Sequence, residues 1–139
     1  MHLVYHFPIQ PLSNPTMSRV ANLISTYFTH TNYNEATAVV VAQSNGKLIG
    51  ACLIKESHDK SHIMKLCTHH DFRKRGVATR LIEYVTTEFK GPLALHVDRN
   101  FRHDDLVSFY KRRNFKVHSE SDKDTEMQYD LISCKEKER

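Results

Sequence analysis

The sequence predicts a mixed α/β fold in which helices cover both faces of a central sheet. Strand-like and helix-like segments follow one another in the order β-α-β-β-β-α-β-α-β-β, and a covered mixed sheet follows from that alternation. The 139 residues fit one domain with one core, and no repeat or linker interrupts them. We expect a single domain over residues 1–132 and a solvated, charged tail over 133–139.

The composition of the chain limits the kinds of protein that it can be. Hydrophobic residues make up 40% and charged residues 26% of the chain, which is typical of a globular protein. Three cysteines without CxxC spacing predict neither a disulfide framework nor a zinc site, so we expect no metal and a reducing, cytoplasmic compartment. No apolar run approaches the roughly 18 residues of a membrane span and the first residues do not form an export signal, so we expect no membrane partner.

The amino-terminal half predicts a strand, a helix and a hairpin. The run "HLVYHFPI" alternates loosely and ends at prolines, as a first strand does. In "SNPTMSRVANLISTYF", Asn14 is the expected N-cap and Pro15 the first helical residue. Two apolar runs, "TAVVVAQ" and "LIGACLIKE", flank Asn45 and Gly46, the dipeptide best suited to a tight turn. We therefore expect an antiparallel pair there.

The carboxyl-terminal half predicts two helices among four strands. A strand in "SHIMKLCTHH" leads into a helix in "RGVATRLIEYVTTEFKG", which Gly91 and Pro92 end. A short buried strand, "PLALHVD", precedes a helix in "DDLVSFYKRR", whose Asp104 and Asp105 favour its amino-terminal dipole. Two last strands follow in "FKVHS" and "TEMQYDLI". One face of the first of these helices is expected to hold Ala78, Leu81, Ile82, Val85 and Phe89.

Three cations stand where the second helix begins. Arg73, Lys74 and Arg75 precede Gly76, and each cation at a helix amino terminus is unfavourable by a few tenths of a kcal/mol. A strand, a short basic loop and a helix start would instead direct backbone N–H groups at an anion. A bound phosphate and the solvated start of an ordinary helix both fit this loop taken alone, because one glycine is weak evidence.

The same loop resembles a known signature. Arg73-x-x-Gly76-x-Ala78 between a strand and a helix resembles the acetyl-coenzyme-A motif of the GNAT superfamily of N-acetyltransferases, usually written Arg/Gln-x-x-Gly-x-Gly/Ala. Further on, Tyr110 lies in a helix that runs into Asn114 and a strand, similar to the family's second element, with Asn in place of Gly. Asn also tolerates a left-handed helix end. The order of elements matches over roughly residues 2–132.

The resemblance implies a GNAT-like fold, a mostly antiparallel sheet of about six to seven strands, and acetyl-CoA as co-substrate. Its pyrophosphate would lie on backbone amides of the loop, and its pantetheine arm between two splayed strands near Cys67 and Thr68, where an amide would polarise the thioester carbonyl. A further cofactor contact would come from Asn100 or from His103. The loop residues implied are Arg73, Lys74, Arg75, Gly76, Val77, Ala78 and Thr79.

Two catalytic roles follow from the resemblance. Tyr110 stands where the family has a tyrosine that protonates the departing thiolate, and the alternative is a core tyrosine. The attacking amine must lose a proton, and His62 lies six residues before Thr68, where some relatives carry a base. A water chain is the open alternative to His62 as the base, and His69 and His70, just past the strand end, are weaker candidates. His62 itself has a solvated or structural role as its alternative.

The acceptor is an amine whose identity stays open. The acidic stretch "ESDKDTE", 120–126, would border the acceptor cleft and attract a cation, or would only keep a hairpin turn soluble. We expect a small cationic amine such as a diamine or polyamine. Protein lysines or amino termini, and a catalytically silent acyl-CoA-binding regulatory domain, are the alternatives. A nucleic-acid partner is not expected, because the aromatic residues fall at core spacing. The resemblance also admits a homodimer.

Overall fold

The structure is a computed structural model that describes residues 3–8, 15–28, 30–31, 33–89 and 91–129. The order of its helices and strands confirms the order predicted from the sequence. The structure also contains two short 3-10 turns that were not predicted, at Tyr33–Glu35 and His70–Phe72. The elements are β1 (Leu3–Pro8), α1 (Pro15–Tyr27), β2 (Ala38–Ser44), β3 (Lys47–Lys55), β4 (Ser61–Thr68), α2 (Val77–Glu88), β5 (Leu93–Asp98), α3 (His103–Lys111), β6 (Lys116–Glu120) and β7 (Asp124–Tyr129).

Within the described residues one sheet contains the seven strands, in the order β1-β2-β3-β4-β5-β7-β6. Every neighbouring pair is antiparallel except β4 and β5, which run parallel. A parallel neighbour needs a crossover, and α2 supplies it between these two strands. The predicted mixed, mostly antiparallel sheet is therefore confirmed, with its one parallel junction in the middle.

Helices bury both faces of the sheet, as predicted. Successive strand residues point to opposite faces, so Val40 of β2 joins the core beneath α2 and α3, while Val39 joins the core beneath α1. The first core holds Leu81, Ile82 and Tyr110 from the helices. The second holds Met17, Val20 and Ile24 of α1. We call the side of the sheet that carries the first core the α2–α3 face, and the side that carries the second core the α1 face.

Local turns form as their residue types require. Asn45 and Gly46 both have positive φ, 51° and 78°, which confirms the tight hairpin between β2 and β3. Asn114, after α3, has a φ of 71°, so the expected left-handed helix end is confirmed. The expected N-cap Asn14 and the tail at 133–139 lie outside the described residues. Among the described helices, none has the length and apolarity that crossing a membrane requires.

Candidate active site

The two parallel strands part soon after they begin. β4 and β5 pair at Ser61 with Leu93 and at His62 with Ala94, and no further. We call this point the apex. Beyond it β4 continues to Thr68 and β5 to Asp98, and a cleft of about 1220 Å³ opens between them. The splay that the resemblance implied is thus present in the sheet.

An extra residue in β4 lies beside the apex. Leu53 of β3 pairs with Lys65 and the next residue, Ile54, pairs with Ile63, so Met64 has no partner in the register. A bulge of this kind bends the strand and increases its local twist. It also changes the face to which the later residues point. Leu66 packs with the core of the α2–α3 face and Cys67 with that of the α1 face.

The loop between β4 and α2 presents backbone amides to the open end of the cleft. Lys74 and Gly76 both have positive φ, 63° and 81°, and turns of this kind gather N–H groups into an anion-binding concavity. Gly76 is the N-cap of α2 and offers no side-chain cap. The first-turn amides of α2, with the helix dipole behind them, are therefore available to a phosphate.

The basic side chains of this loop lie around the amides. The guanidinium of Arg73 lies 4.9 Å from the centre of the Tyr27 ring. Its Nε donates a hydrogen bond to the Thr68 carbonyl oxygen at 3.5 Å. Arg75 stacks on Phe72 at 5.4 Å. Arg73 and Lys74 line the cleft, whereas Arg75 does not. The side chain of Arg75 therefore has no support as a cofactor contact.

The start of α2 lies close to the sheet. A Cβ atom placed on Gly50 of β3 would lie 2.7 Å from Cγ1 of Val77, so the absence of a side chain at position 50 lets Val77 pack there. Ala78, which the sequence placed on the core face, is half-buried and lines the cleft with Thr79. A small side chain at 78 leaves room for a phosphate to approach the helix.

Arg113, which sequence reasoning missed as a site residue, joins α2 to α3. Its Nη2 donates to the Thr79 hydroxyl at 2.6 Å and its Nη1 to the Phe109 carbonyl at 2.9 Å. Its guanidinium lies 3.8 Å from the centre of the Phe109 ring. The residue lines the cleft, and burial lowers its pKa. The sequence shows only a basic pair after a helix, which is the usual pattern of a helix end.

Tyr110 reaches the cleft from the α2–α3 face. It lies on α3, is 8% exposed, and packs edge-on against Phe109 and Phe115. Burial raises the pKa of Tyr110 above its ordinary value, so the phenol keeps its proton at neutral pH. The residue thus has both a core environment and a position in the cleft lining.

Two histidines meet at the apex on the α1 face. His62 pairs with Lys55 in the register and its neighbour Ile63 faces the other core, so His62 faces α1. The ring of His96 on β5 stacks on that of His62, with centroids 6.3 Å apart and planes 5° apart. Burial lowers the pKa of His62, and nearby Lys60 and His96 lower it further.

Sequence reasoning missed His96. The segment "PLALHVD" is predicted as a buried strand, but only Leu93, Leu95 and Val97 share the core of the α2–α3 face. Strict alternation would have placed His96 on the opposite face. Its Nδ1 lies 3.3 Å from Oδ2 of Asp124 on β7, and its side chain is 46% exposed. Both histidines line the cleft.

The remaining predicted residues are divided between cleft and core. Cys67 and Thr68 line the cleft, and burial raises the pKa of Cys67 to about 11. Asn100 also lines it. His103 does not: it is 9% exposed, and its two ring nitrogens lie 2.9 Å from Asp104 Oδ1 and 2.8 Å from Thr125 Oγ1. The geometry favours Asn100 over His103 as a cofactor contact, because His103 holds α3 to β7.

The histidines before the loop have contacts of their own. His69 Nδ1 accepts from the Asp71 amide at 3.2 Å, and the His70 amide donates to the Tyr27 hydroxyl at 2.7 Å. Within the described residues, ligand atoms of His69, His70 and Asp71 lie within 4.8 Å of one another, as a metal would require. Their exposure and these contacts explain the cluster without an ion. Neither histidine lines the cleft.

Comparison with known proteins identifies the family. The model of the acetyltransferase (GNAT) domain family matches residues 15–129. No curated protein sequence matches the chain. Among solved structures, a GNAT-family protein from Bacteroides thetaiotaomicron is similar with a TM-score of 0.76 at 15% identity, over 96% of this chain and 92% of that one.

Two further structures share the fold. A protein of Arabidopsis thaliana in complex with the bisubstrate analogue CoA-Ac-MVNAL has a TM-score of 0.70 at 16% identity, over 92% of this chain and 99% of its own. The aminoglycoside 6'-N-acetyltransferase from Enterococcus faecium has a TM-score of 0.71 at 16% identity, over 94% and 98%. At these identities the likeness is one of fold. The family match over most of the chain carries further: this protein belongs to the GNAT family and is an acetyl-CoA-dependent N-acetyltransferase.

Proposed function

We propose that this enzyme transfers the acetyl group to a primary amine by direct attack of the amine on the thioester in a ternary complex. The observation that carries the proposal is the cleft itself, which passes through the sheet between β4 and β5. One candidate acid, Tyr110, reaches it from the α2–α3 face, and one candidate base, His62, from the α1 face. Acid and base therefore approach the same gap from opposite sides.

The loop and the cleft fit the parts of acetyl-CoA. Uncapped amides at the start of α2 suit the pyrophosphate, and small Ala78 gives it access. From Thr68 back to Ile63 is five residues, roughly 16 Å of extended strand, which is comparable to an extended pantetheine arm. This reach favours a thioester near the Met64 bulge, so we propose an amide beside that bulge, rather than that of Thr68, as the oxyanion donor.

Tyr110 is proposed as the general acid. The departing thiolate has a conjugate acid of pKa near 8.5, and a phenol near 10 donates to it when it is held in position. Burial raises the pKa of Tyr110, so the hydroxyl is protonated at every pH at which the enzyme would work. A catalytically silent acyl-CoA-binding domain would not need this buried phenol in the cleft.

His62 is proposed as a proton acceptor. An alkylammonium has a pKa of about 10.4 and must lose a proton before its nitrogen can attack. Because burial and nearby Lys60 lower the pKa of His62, its imidazole is neutral at neutral pH and can accept a proton from the amine nitrogen. Its position on the α1 face supports an amine site on that side of the sheet.

A small cationic amine, such as a diamine or polyamine, is the acceptor we propose. Alternation along β7 places Asp124 and Glu126, from the acidic stretch, on the same face as His96. Glu126 lies 3.5 Å from Lys60, so part of its charge is already balanced. Long-range attraction from these carboxylates would weaken with salt.

A peptide amine is the second candidate acceptor. The Arabidopsis thaliana structure contains a CoA–peptide analogue, and the cleft here is open along the exposed side of His96.

The predicted homodimer and the reducing, cytoplasmic compartment stay predictions.

A thiol-release assay with acetyl-CoA tests the proposal. The panel contains diamines, polyamines, aminoglycosides, amino acids and peptides with lysine or a free amino terminus, and mass spectrometry identifies each acetylated product. We expect release with diamines or polyamines, and a loss of rate as salt rises. Turnover only with peptides would overturn the small-amine proposal. Calorimetry with acetyl-CoA is the control, and absence of binding would overturn the proposed function.

A further inference from the structure

Acetyl transfer to an alkylammonium removes two protons from one nitrogen. The first leaves before the nitrogen can attack, and the second leaves as the C–N bond forms and the C–S bond breaks. A single histidine would have to release the first proton before it could take the second. The apex holds two imidazoles, His62 and His96, stacked 6.3 Å apart and both lining the cleft.

We propose that His96, held by Asp124, is a second proton acceptor at the apex and takes the proton that leaves the ammonium before attack. This inference rests on the proposed function. Asp124 Oδ2 lies 3.3 Å from His96 Nδ1 as an ion-pair contact, and its negative charge attracts a proton on that nitrogen and repels a lone pair there, so it favours the tautomer with its proton on Nδ1. The Nε2 lone pair of His96 is then the one that accepts the amine proton. The Asp124 carboxylate lies beside the ring on the side opposite to this lone pair.

The protons balance with three side chains. The ammonium gives its first proton to His96, which passes it to solvent through its exposed side. The free amine attacks the acetyl carbon and gives its second proton to His62. The C–S bond breaks, and Tyr110 gives its proton to the thiolate. His62 has gained one proton and Tyr110 has lost one, so exchange of protons with water returns both side chains to their starting states. The net reaction releases one proton, the one that His96 passed to solvent.

Charged groups from several elements surround His96. β4 contributes His62, whose ring stacks on it, and β7 contributes Asp124 beside Nδ1 and Glu126 opposite it in the register. Both signs of charge are therefore present around the ring. The other titratable groups near the pair are Lys55 of β3, Lys60 before β4 and Asp98 of β5.

A pH series on His96→Gln tests the role. We expect kcat/KM at neutral pH to fall about a hundredfold. The loss should shrink several-fold as pH rises toward about 10, because the amine then arrives already deprotonated. His118→Gln, at an exposed histidine on edge strand β6, is the matched control and should keep the wild-type profile. A loss of the same size at every pH would mean structural damage, and an unchanged profile would also overturn the proposal.

Asp124→Asn distinguishes a positioning residue from a surface charge. If Asp124 acts through His96, the double variant should lose no more activity than His96→Gln alone. Additive losses would overturn this link. Both tests require a wild-type enzyme that is active in the acetyl-transfer assay. Inactivity of the wild type with every amine would instead count against the proposed function, so the two failures are distinguishable.

Discussion

At the scale of residues, the site uses burial to fix protonation states. Tyr110 is surrounded by Phe109 and Phe115, and burial raises its pKa. His62 lies at the sheet surface with lysines nearby, and the same physical cause, desolvation, lowers its pKa. Burial disfavours the charged form of each, which keeps the phenol a donor and the imidazole an acceptor at neutral pH.

Tyr110→Phe tests the donor role with little change in packing. The hydroxyl is lost and the ring stays, so the core should hold. We expect kcat to fall by about 10²- to 10⁴-fold, while calorimetry shows unchanged acetyl-CoA binding. Phe109→Leu is the control for packing, because Phe109 contacts Tyr110 and the substitution changes that contact without removing a hydroxyl. A Tyr110→Phe enzyme with wild-type kcat would contradict the general-acid role.

At the scale of elements, the contact between β3 and α2 positions the amide loop. Val77 packs where Gly50 has no side chain, and the amides at the start of α2 follow directly from that position. The proposed cofactor site therefore depends on a residue that does not line it, since Gly50 lies in β3 beneath the helix.

Gly50→Ala should displace the start of α2. Overpacking of this kind costs about 1–3 kcal/mol of unfolding free energy, and we expect a higher KM for acetyl-CoA with a smaller effect on KM for the amine. Val77→Ala in the same chain removes the nearest atom and should restore part of both losses. Denaturation and initial-rate kinetics on the two single variants and the double variant measure this. Equal KM values in wild type and Gly50→Ala would show that the contact does not position the loop.

The sequence was sufficient to predict the order of the helices and strands, while the cofactor role of the basic loop stays a prediction. Helical spacing, Asn45-Gly46 and the Arg73 to Ala78 signature are local patterns, and local geometry decides them. His96, Arg113 and the Met64 bulge were missed, because each depends on which strands or helices become neighbours. Between the alternatives Asn100 and His103 the sequence could not choose, since a polar residue at a helix start such as His103 can bond to a strand far along the chain.

At the scale of the whole molecule, cofactor binding links parts of the chain that are distant in sequence. The cleft is lined by β4, the loop, β5 and α3, and Arg113 connects the end of α3 to Thr79. A ligand can bind in the cleft only when the protein is folded, because the unfolded chain has no cleft. Its binding energy therefore adds to the stability of the entire domain.

Coenzyme A should raise the melting temperature of the protein. At a concentration of a hundred times Kd the expected gain is about 2.7 kcal/mol, which thermal scans would report as a shift of several degrees. Tyr110→Phe should keep the shift, because the hydroxyl acts on the thiolate rather than on binding. Gly50→Ala should reduce it at the same concentration. No shift at any concentration, with calorimetry in agreement, would contradict the placement of the cofactor.

The parting of β4 and β5 also creates two strand edges inside one sheet. Past His62 and Ala94 the two strands no longer pair with each other, and unpaired edges are where foreign chains add as extra strands. Without its co-substrate the enzyme carries this hazard at the centre of its fold. We therefore expect coenzyme A to protect the protein from aggregation during storage and expression, as well as to serve the reaction.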